Sequence, residues 1–363
     1  MDAKKLERHQ RFWRPLEKGE GGYLYVTSPM SDTEKPPFIR KPTDLEDYWL
    51  NTKYRVERAE HTTAAVFHGQ DAIQREFVNL GPGVQASFFG APYELNWDSV
   101  WFDRHPIIKD FSQPLSFKTD TDSKLYKVID EQTDALCKNS GGRYAVSVTD
   151  IGGTLDILFS LRGQELLMDL LDYPDEVLAA INQIDDEFLK YYKHQSSIIE
   201  PYNLGYTTWI PLVHNKPWYP IQCDFSVMIS PAMFEEFVLP SLDKVSKALG
   251  QAVYHLDGPE QINHLDMILS LPNIHAIQWV PLPDLKQPDG SFVYNFASEQ
   301  SIGVFKRILA AGKKLYIMGI PANQIETVFN EIGSDGVFMH TDCGSRKQAD
   351  ELIELCLKNW IKL

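Results

Sequence analysis

From about residue 143 to the end, short runs rich in β-branched and aromatic residues alternate with segments that repeat apolar side chains at helical spacing. The strand-like runs fall at 144–148, 206–210, 221–224, 252–256, 276–280, 315–319 and 337–340, and a run at 62–68 makes eight. Between them, Pro174 suits a first helical turn and is followed by Val177, Ile181, Ile184 and Phe188 on one face. Ser230 and Pro231 supply an N-cap and a first-turn residue for another helix. Ser345 and Gln348 form a capping box ahead of Ala349, Leu352, Ile353, Cys356 and Trp360. Eight strands alternating with helices predict an α/β fold, a (β/α)8 TIM barrel. A doubly wound sheet is the alternative, but no Gly-x-Gly-x-x-Gly follows an early strand.

The barrel is expected over 61–363, preceded by an N-terminal arm at 1–60 with a Pro-rich loop at 31–41. Thr43 to Glu46 reads as a capping box opening a helix that runs to about residue 60. Residues 81–140 break the alternation and crowd Phe88, Phe89, Tyr93, Trp97, Trp101 and Phe102 together, so an insertion after the first strand is expected there. At 363 residues and 43% hydrophobic, the chain can bury a large core. Its net charge of −15 argues against nucleic acid or an anionic membrane as a partner. There is no apolar run long enough to span a bilayer and no apolar leader at the polar start. The cysteines at 137, 223, 343 and 356 form no Cys-x-x-Cys, and a reducing, cytoplasmic setting is expected.

In a (β/α)8 barrel, chemistry sits where strands end and βα loops begin. That rule selects Asp150, His214, Asp224, His255, Asp257, Trp279, His340, Asp342 and Cys343. Side chains alternate along a strand, so His255 and Asp257 project to the same side. If Cys343 joins them at the rim, an imidazole, a carboxylate and a thiolate surround an open metal position. The plain alternative is a hydrogen-bonded His255 and Asp257, with Cys343 a small buried residue. Asp150, Asp224 and His340 are catalytic candidates, the last as a general acid titrating near neutrality. Asp150 and Asp224 serve equally well as turn caps, and His340 as a satisfied interior residue. Trp279, His214, Asp342 and Arg346 are substrate-binding candidates, Arg346 as a carboxylate clamp. The aromatics of 88–102 either wall the ligand site or pack in the core or a dimer contact.

The run from Asp224 to Pro231 with Phe234 to Phe237, the Gly152-Gly153 pair followed by Leu161-Arg162-Gly163, and the His255, Asp257 and Cys343 positions together resemble the uroporphyrinogen decarboxylase superfamily over roughly 60–363. The resemblance is closer to its methyltransferase-type branch, whose corrinoid-dependent members bind zinc through a His-x-Cys pair and a later Cys. His255 matches the His, Cys343 matches the last Cys, and Asp257 stands in place of the middle Cys. The resemblance implies methyl transfer between a small methylated compound, or methylcobalamin on a corrinoid partner protein, and a nucleophile activated by zinc at His255, Asp257 and Cys343. Asp in place of Cys makes the site harder and less selective for soft metals. The decarboxylase alternative expects an Arg-rich signature near 20–65 that grips substrate carboxylates, and no convincing match stands there. A metal-free, ligand-binding barrel is the further alternative. A homodimer is expected, partly from the resemblance and partly from the 8 Trp, 16 Tyr and 19 Phe that need burial.

Overall fold

The computed structural model describes residues 2–112, 115–286 and 292–363. In chain order the strands are β1 Tyr23–Pro29, β2 Val66–Gln70, β3 Arg75–Phe77, β4 Glu94–Leu95, β5 Val100–Trp101, β6 Ala145–Ser147, β7 Tyr219–Gln222, β8 Ala252–Asp257, β9 Ile274–Val280, β10 Pro283–Lys286, β11 Phe292–Tyr294, β12 Lys314–Met318 and β13 Val337–Asp342. A seven-stranded sheet has the order β2-β1-β13-β12-β9-β8-β7, and every pair in it is parallel except β1–β2. β3 and β6 form a separate parallel pair. The chain is therefore an α/β protein with a mostly parallel sheet. Among the described residues the ladders do not close into a ring. Side chains span the two gaps instead. Tyr25 Oη donates to the Ile73 carbonyl at 3.1 Å, joining β1 to the turn before β3. Tyr219 Oη accepts from the Ile151 N–H at 2.7 Å and donates to the Thr149 carbonyl at 2.9 Å, joining β7 to the segment after β6.

Register decides which side chains share a face. Tyr23, Phe338, Tyr316, Gln278, His255 and Gln222 pair across six successive strands. Tyr25, His340 and Met318 form the next row toward the strand ends. The opposite parity, including Val26, Leu256, Ile277, Leu315, Ile317 and Met339, lies in the main hydrophobic core. The helix Ala3–Phe12 carries Phe12 and Trp13 into the smaller aromatic cluster, beside Tyr23, Trp218, Val253, Tyr316 and Phe338. Phe12 meets Tyr23 and Phe338 edge-on, each at 5.4 Å.

That helix is locked by a buried ion pair between Arg8 and Asp71. Arg8 also donates to the Gly22 carbonyl at 3.0 Å, and Asp71 accepts from the Leu24 N–H at 2.8 Å. Removing one partner of a buried pair strands the other charge. Asp71→Ala is expected to destabilise the protein by about 3–5 kcal/mol, read as a shift of the urea midpoint. An unchanged midpoint contradicts the lock.

Several expected elements lie elsewhere. The first strand expected at 62–68 is in fact the end of the helix Thr52–Ala65 followed by β2, which is antiparallel. Thr62 and Thr63 look strand-like, but their hydroxyls donate back to the Arg58 and Ala59 carbonyls at 3.0 and 2.7 Å, a helical alternative. The run at 206–210 forms no strand. Tyr206 and His214 exchange both backbone bonds, at 2.7 and 3.0 Å, and close a local antiparallel turn. β1 and β3 take their places in the parallel set, β1 from within the expected arm. Asp44, not Thr43, caps the helix Leu45–Leu50. The helices at Pro174 and after Ser345 start where the caps place them. Among the described residues no helix is long and apolar enough to cross a membrane.

Candidate metal centre and substrate cleft

His255 stands near the end of β8, and Asp257 two residues on shares its face. Asp224 follows β7 and opens the 3-10 turn Asp224–Met228. Each of the three offers one ligand atom, and these atoms lie within 4.8 Å of one another. Gln278 on β9 faces His255 with its Oε1 at Nδ1. Nδ1 therefore carries the hydrogen and Nε2 keeps the lone pair a metal needs. The ring also meets Trp209 edge-on at 5.2 Å. Asp224 Oδ2 accepts from Gln222 Nε2 at 3.2 Å, while its Oδ1 is buried without a hydrogen-bond partner.

A residue the sequence did not single out anchors this turn. Asp156, in the first turn of the helix Thr154–Arg162, accepts from the Phe225 N–H at 2.7 Å and the Asp224 N–H at 3.0 Å. Gly153 permits the approach. A Cβ there would lie 2.3 Å from Asp156 Oδ2 and 2.4 Å from the Gln222 carbonyl. The available signal was the Gly152-Gly153 pair leading into a helix with an acidic first turn. Asp150, after β6, completes the acidic group, and its Oδ1 is buried without a partner.

Burial raises three of these carboxyls. Asp150 is pushed up to about 7 by burial and then by the Asp224 charge. Asp156 is also pushed to about 7 by burial and Asp224, against the N–H groups of Phe225 and Asp224. Asp224 is pushed to about 6 by burial and then by Asp257. A folded-state pKa above the unfolded one means stability that is full at low pH and lost as the group ionises. The metal-free protein is therefore expected to lose melting temperature as pH rises through about 6 to 7. Asp224→Asn is expected to flatten that decline and to raise the melting temperature at pH 8 by about 2 °C. Parallel melting curves for both proteins between pH 5 and 8 would contradict the assignment. A cavity of about 260 Å³ opens beside Asp156 and Asp224, with Trp101, Phe102, Phe159 and Phe225 in its wall.

A second cleft, about 430 Å³, lies over the ends of β1, β3 and β13. Tyr25, Arg58, His68, Arg75, His340 and Asp342 line it. His340 Nδ1 is 3.0 Å from Tyr316 Oη, and its ring lies 4.2 Å from that of Tyr25. Burial pushes His340 down to about 4 despite Asp342, so at neutral pH the ring is uncharged. That departs from the near-neutral general acid expected of it, because the strand aims the ring into the aromatic interior. Asp342 accepts from the Thr27 hydroxyl on the adjacent strand.

The other expected site residues are not gathered here. Cys343 is not in the ligand group. It belongs to the main core, its N–H donates to the Thr27 carbonyl at 2.7 Å, and burial followed by Asp342 pushes its thiol up. Parity is the reason: Asp342 takes the face of His340, and the next residue turns away. Trp279 is on the outer parity of β9, fully buried, with Nε1 donating to Ser301 Oγ at 3.1 Å on the helix Glu299–Ala310. His214 precedes β7 rather than following a strand. It stacks on Trp13 at 4.8 Å and bonds Gln10, at the strand-entry end of the sheet. Arg346 reaches Asp350 at 3.0 Å and covers the Phe67 ring at 3.5 Å, outside either cavity.

No protein-family model matches this chain, and no curated protein matches it in sequence. Among solved structures the chain is similar to a methyltransferase from Methanosarcina mazei, with a TM-score of 0.60 and 13% identity over 98% of each chain. That likeness over nearly the full length shows that the two share a fold.

Proposed function

We propose that this protein is a methyltransferase on a (β/α)8 scaffold of the uroporphyrinogen decarboxylase type, with a divalent cation, zinc first, held by Asp224, His255 and Asp257. The observation that carries the reading is the trio itself: three ligand atoms within 4.8 Å at the ends of adjacent parallel strands. The buried, unpartnered Oδ1 of Asp224 and the tautomer that Gln278 imposes on His255 fit a cation. Two carboxylates and one imidazole make a harder donor set than a His-x-Cys pair with a second, later thiolate, and still one that zinc accepts.

A cation held by Asp224, His255 and Asp257 would lower the pKa of a thiol or similar soft nucleophile brought to it. The chain's own residues do the rest. Gln278 orients His255. Asp156 holds the Asp224–Phe225 backbone in place through two N–H groups. Trp101 and Phe102 exclude water from one side of the cavity. Holding donor and acceptor side by side at the strand ends supplies the entropic part of catalysis. Methylcobalamin on a corrinoid protein is the proposed donor, and a small methylated compound the other.

The test is zinc titration calorimetry on the wild type, followed by a methyl-transfer assay from methylcobalamin to a small thiol. The expected result is one zinc per chain and zinc-dependent turnover. If the protein takes up no stoichiometric metal, the reading fails and a metal-free, decarboxylase-like or ligand-binding role replaces it.

A further inference from the structure

We propose that the cavity beside Asp156 and Asp224 binds a small quaternary ammonium compound, its methylated head held against Trp101, Phe102, Phe159 and Phe225. These four rings and two carboxylates share the wall of a space of about 260 Å³. Phe102 and Phe225 are buried, and the Phe159 and Phe225 rings stand 5.4 Å apart at an oblique 47°. Ring and carboxylate are tied together, because Asp156 accepts from the Phe225 N–H at 2.7 Å.

The wall selects among ligand classes. An anion would meet Asp156 and Asp224 at close quarters. A neutral apolar molecule would leave them without a counter-charge. Both accept from uncharged groups, the N–H of Phe225 and of Asp224 and the amide of Gln222, and neither pairs with a lysine or arginine among the described residues. Carboxylates taken out of water in that state are costly. A primary ammonium has three N–H donors to satisfy, and rings offer no oxygen acceptors. A quaternary ammonium has no N–H. Its charge is spread over methyl surface, which the face of an aromatic ring attracts. Trp101 already attracts one cation: Arg104 lies over its ring at 5.5 Å without lining the cavity, and Asp103 offsets that charge at 3.9 Å.

Asp224 belongs both to this wall and to the metal trio, so a methyl group held against the rings lies beside the trio. That places the ligand as the small methylated donor. Methyl transfer from a quaternary ammonium to a thiolate forms one C–S bond and breaks one C–N bond. The electron pair of the broken bond stays on nitrogen, and a neutral amine leaves. The donor role rests on the methyl-transfer reading, whereas the binding rests on the cavity alone.

The probes are choline, its uncharged isostere 3,3-dimethylbutan-1-ol, and ethanolamine, which keeps the charge and lacks the methyl groups. Each is titrated calorimetrically into the wild type, Trp101→Leu, Trp101→Phe and Phe159→Leu, with and without zinc. Choline is expected to bind saturably, and the isostere and ethanolamine each about 10-fold more weakly or worse. Binding is expected in both metal states and weaker with zinc, because the ion cancels the charge of Asp224. Trp101→Leu and Phe159→Leu are each expected to weaken choline about 5-fold or more while changing the isostere less, since leucine keeps apolar surface and removes the ring face. Trp101→Phe keeps a ring and is expected to stay within about 3-fold of the wild type. Circular dichroism melts show whether each variant is folded, and the comparison of the three probes on the wild type needs no variant. No saturable choline binding, an isostere that binds as tightly, or choline affinity unchanged in folded Trp101→Leu and Phe159→Leu overturns the proposal and leaves the metal reading untouched. Choline binding in a protein that takes up no zinc would sink the metal reading and leave the cavity assignment standing.

Discussion

His255→Ala is expected to lose at least about 100-fold in zinc affinity, with metal-dependent methyl transfer falling to background. Cys343→Ser is expected to change zinc affinity by less than about 3-fold, since a residue outside the ligand shell has no bond to lose. The contrast follows from placement. His255 offers a ring nitrogen within 4.8 Å of ligand atoms of Asp224 and Asp257, while Cys343 sits in the main core with a thiol whose pKa burial raises. Calorimetric titration of the two variants beside the wild type is sufficient. Equal losses in both would restore the thiolate to the site and remove Asp224 from it.

Trp13→Ala is expected to destabilise the protein by about 3–5 kcal/mol, the range for emptying a large buried aromatic site. Trp13 is buried against His214, Trp218 and His275, with ring centroids 4.8, 4.8 and 5.1 Å away. Its indole N–H also satisfies the Val213 carbonyl at 3.1 Å. Truncation leaves a cavity at the strand-entry end, far from the metal trio, and leaves the Val213 carbonyl with Gln10 Nε2 as its remaining side-chain donor, at 3.3 Å. The denaturant midpoint is expected to fall while zinc affinity of the folded protein stays within about 2-fold. A midpoint unchanged by the substitution would mean that the first helix is not part of the cooperative fold.

The same placement explains what the sequence could and could not disclose. β8, β9, β12 and β13 were legible because each is an apolar run bounded by turn residues, and strand parity put His255 and Asp257 on one face. β1 was not legible within an expected arm, since only Tyr23 to Val26 are apolar there and a short run carries little signal. β3 reads Arg75, Glu76, Phe77, and its charges belong to the cleft rather than to a core, so no hydrophobic pattern marks it. Asp224 was noted as a pocket or turn residue, but its meeting with Asp257 depends on the register of β7 against β8, which no local pattern encodes. Trp279 and Cys343 lie in the main core, apart from the trio, for one reason. The rule that strand ends carry chemistry selects positions along a strand, while parity decides which of them face the interior. Asp156 was missed because its role lies in two backbone N–H groups 68 and 69 residues away in sequence.

X-ray absorption at the zinc edge of the substrate-free, zinc-loaded protein tests the central claim most directly. The account predicts a first coordination sphere of one imidazole nitrogen and carboxylate or water oxygens at about 2.0–2.2 Å, with no sulfur. A sulfur scatterer at about 2.3 Å would place Cys343 on the metal and contradict the assignment of Asp224, His255 and Asp257 as its ligands.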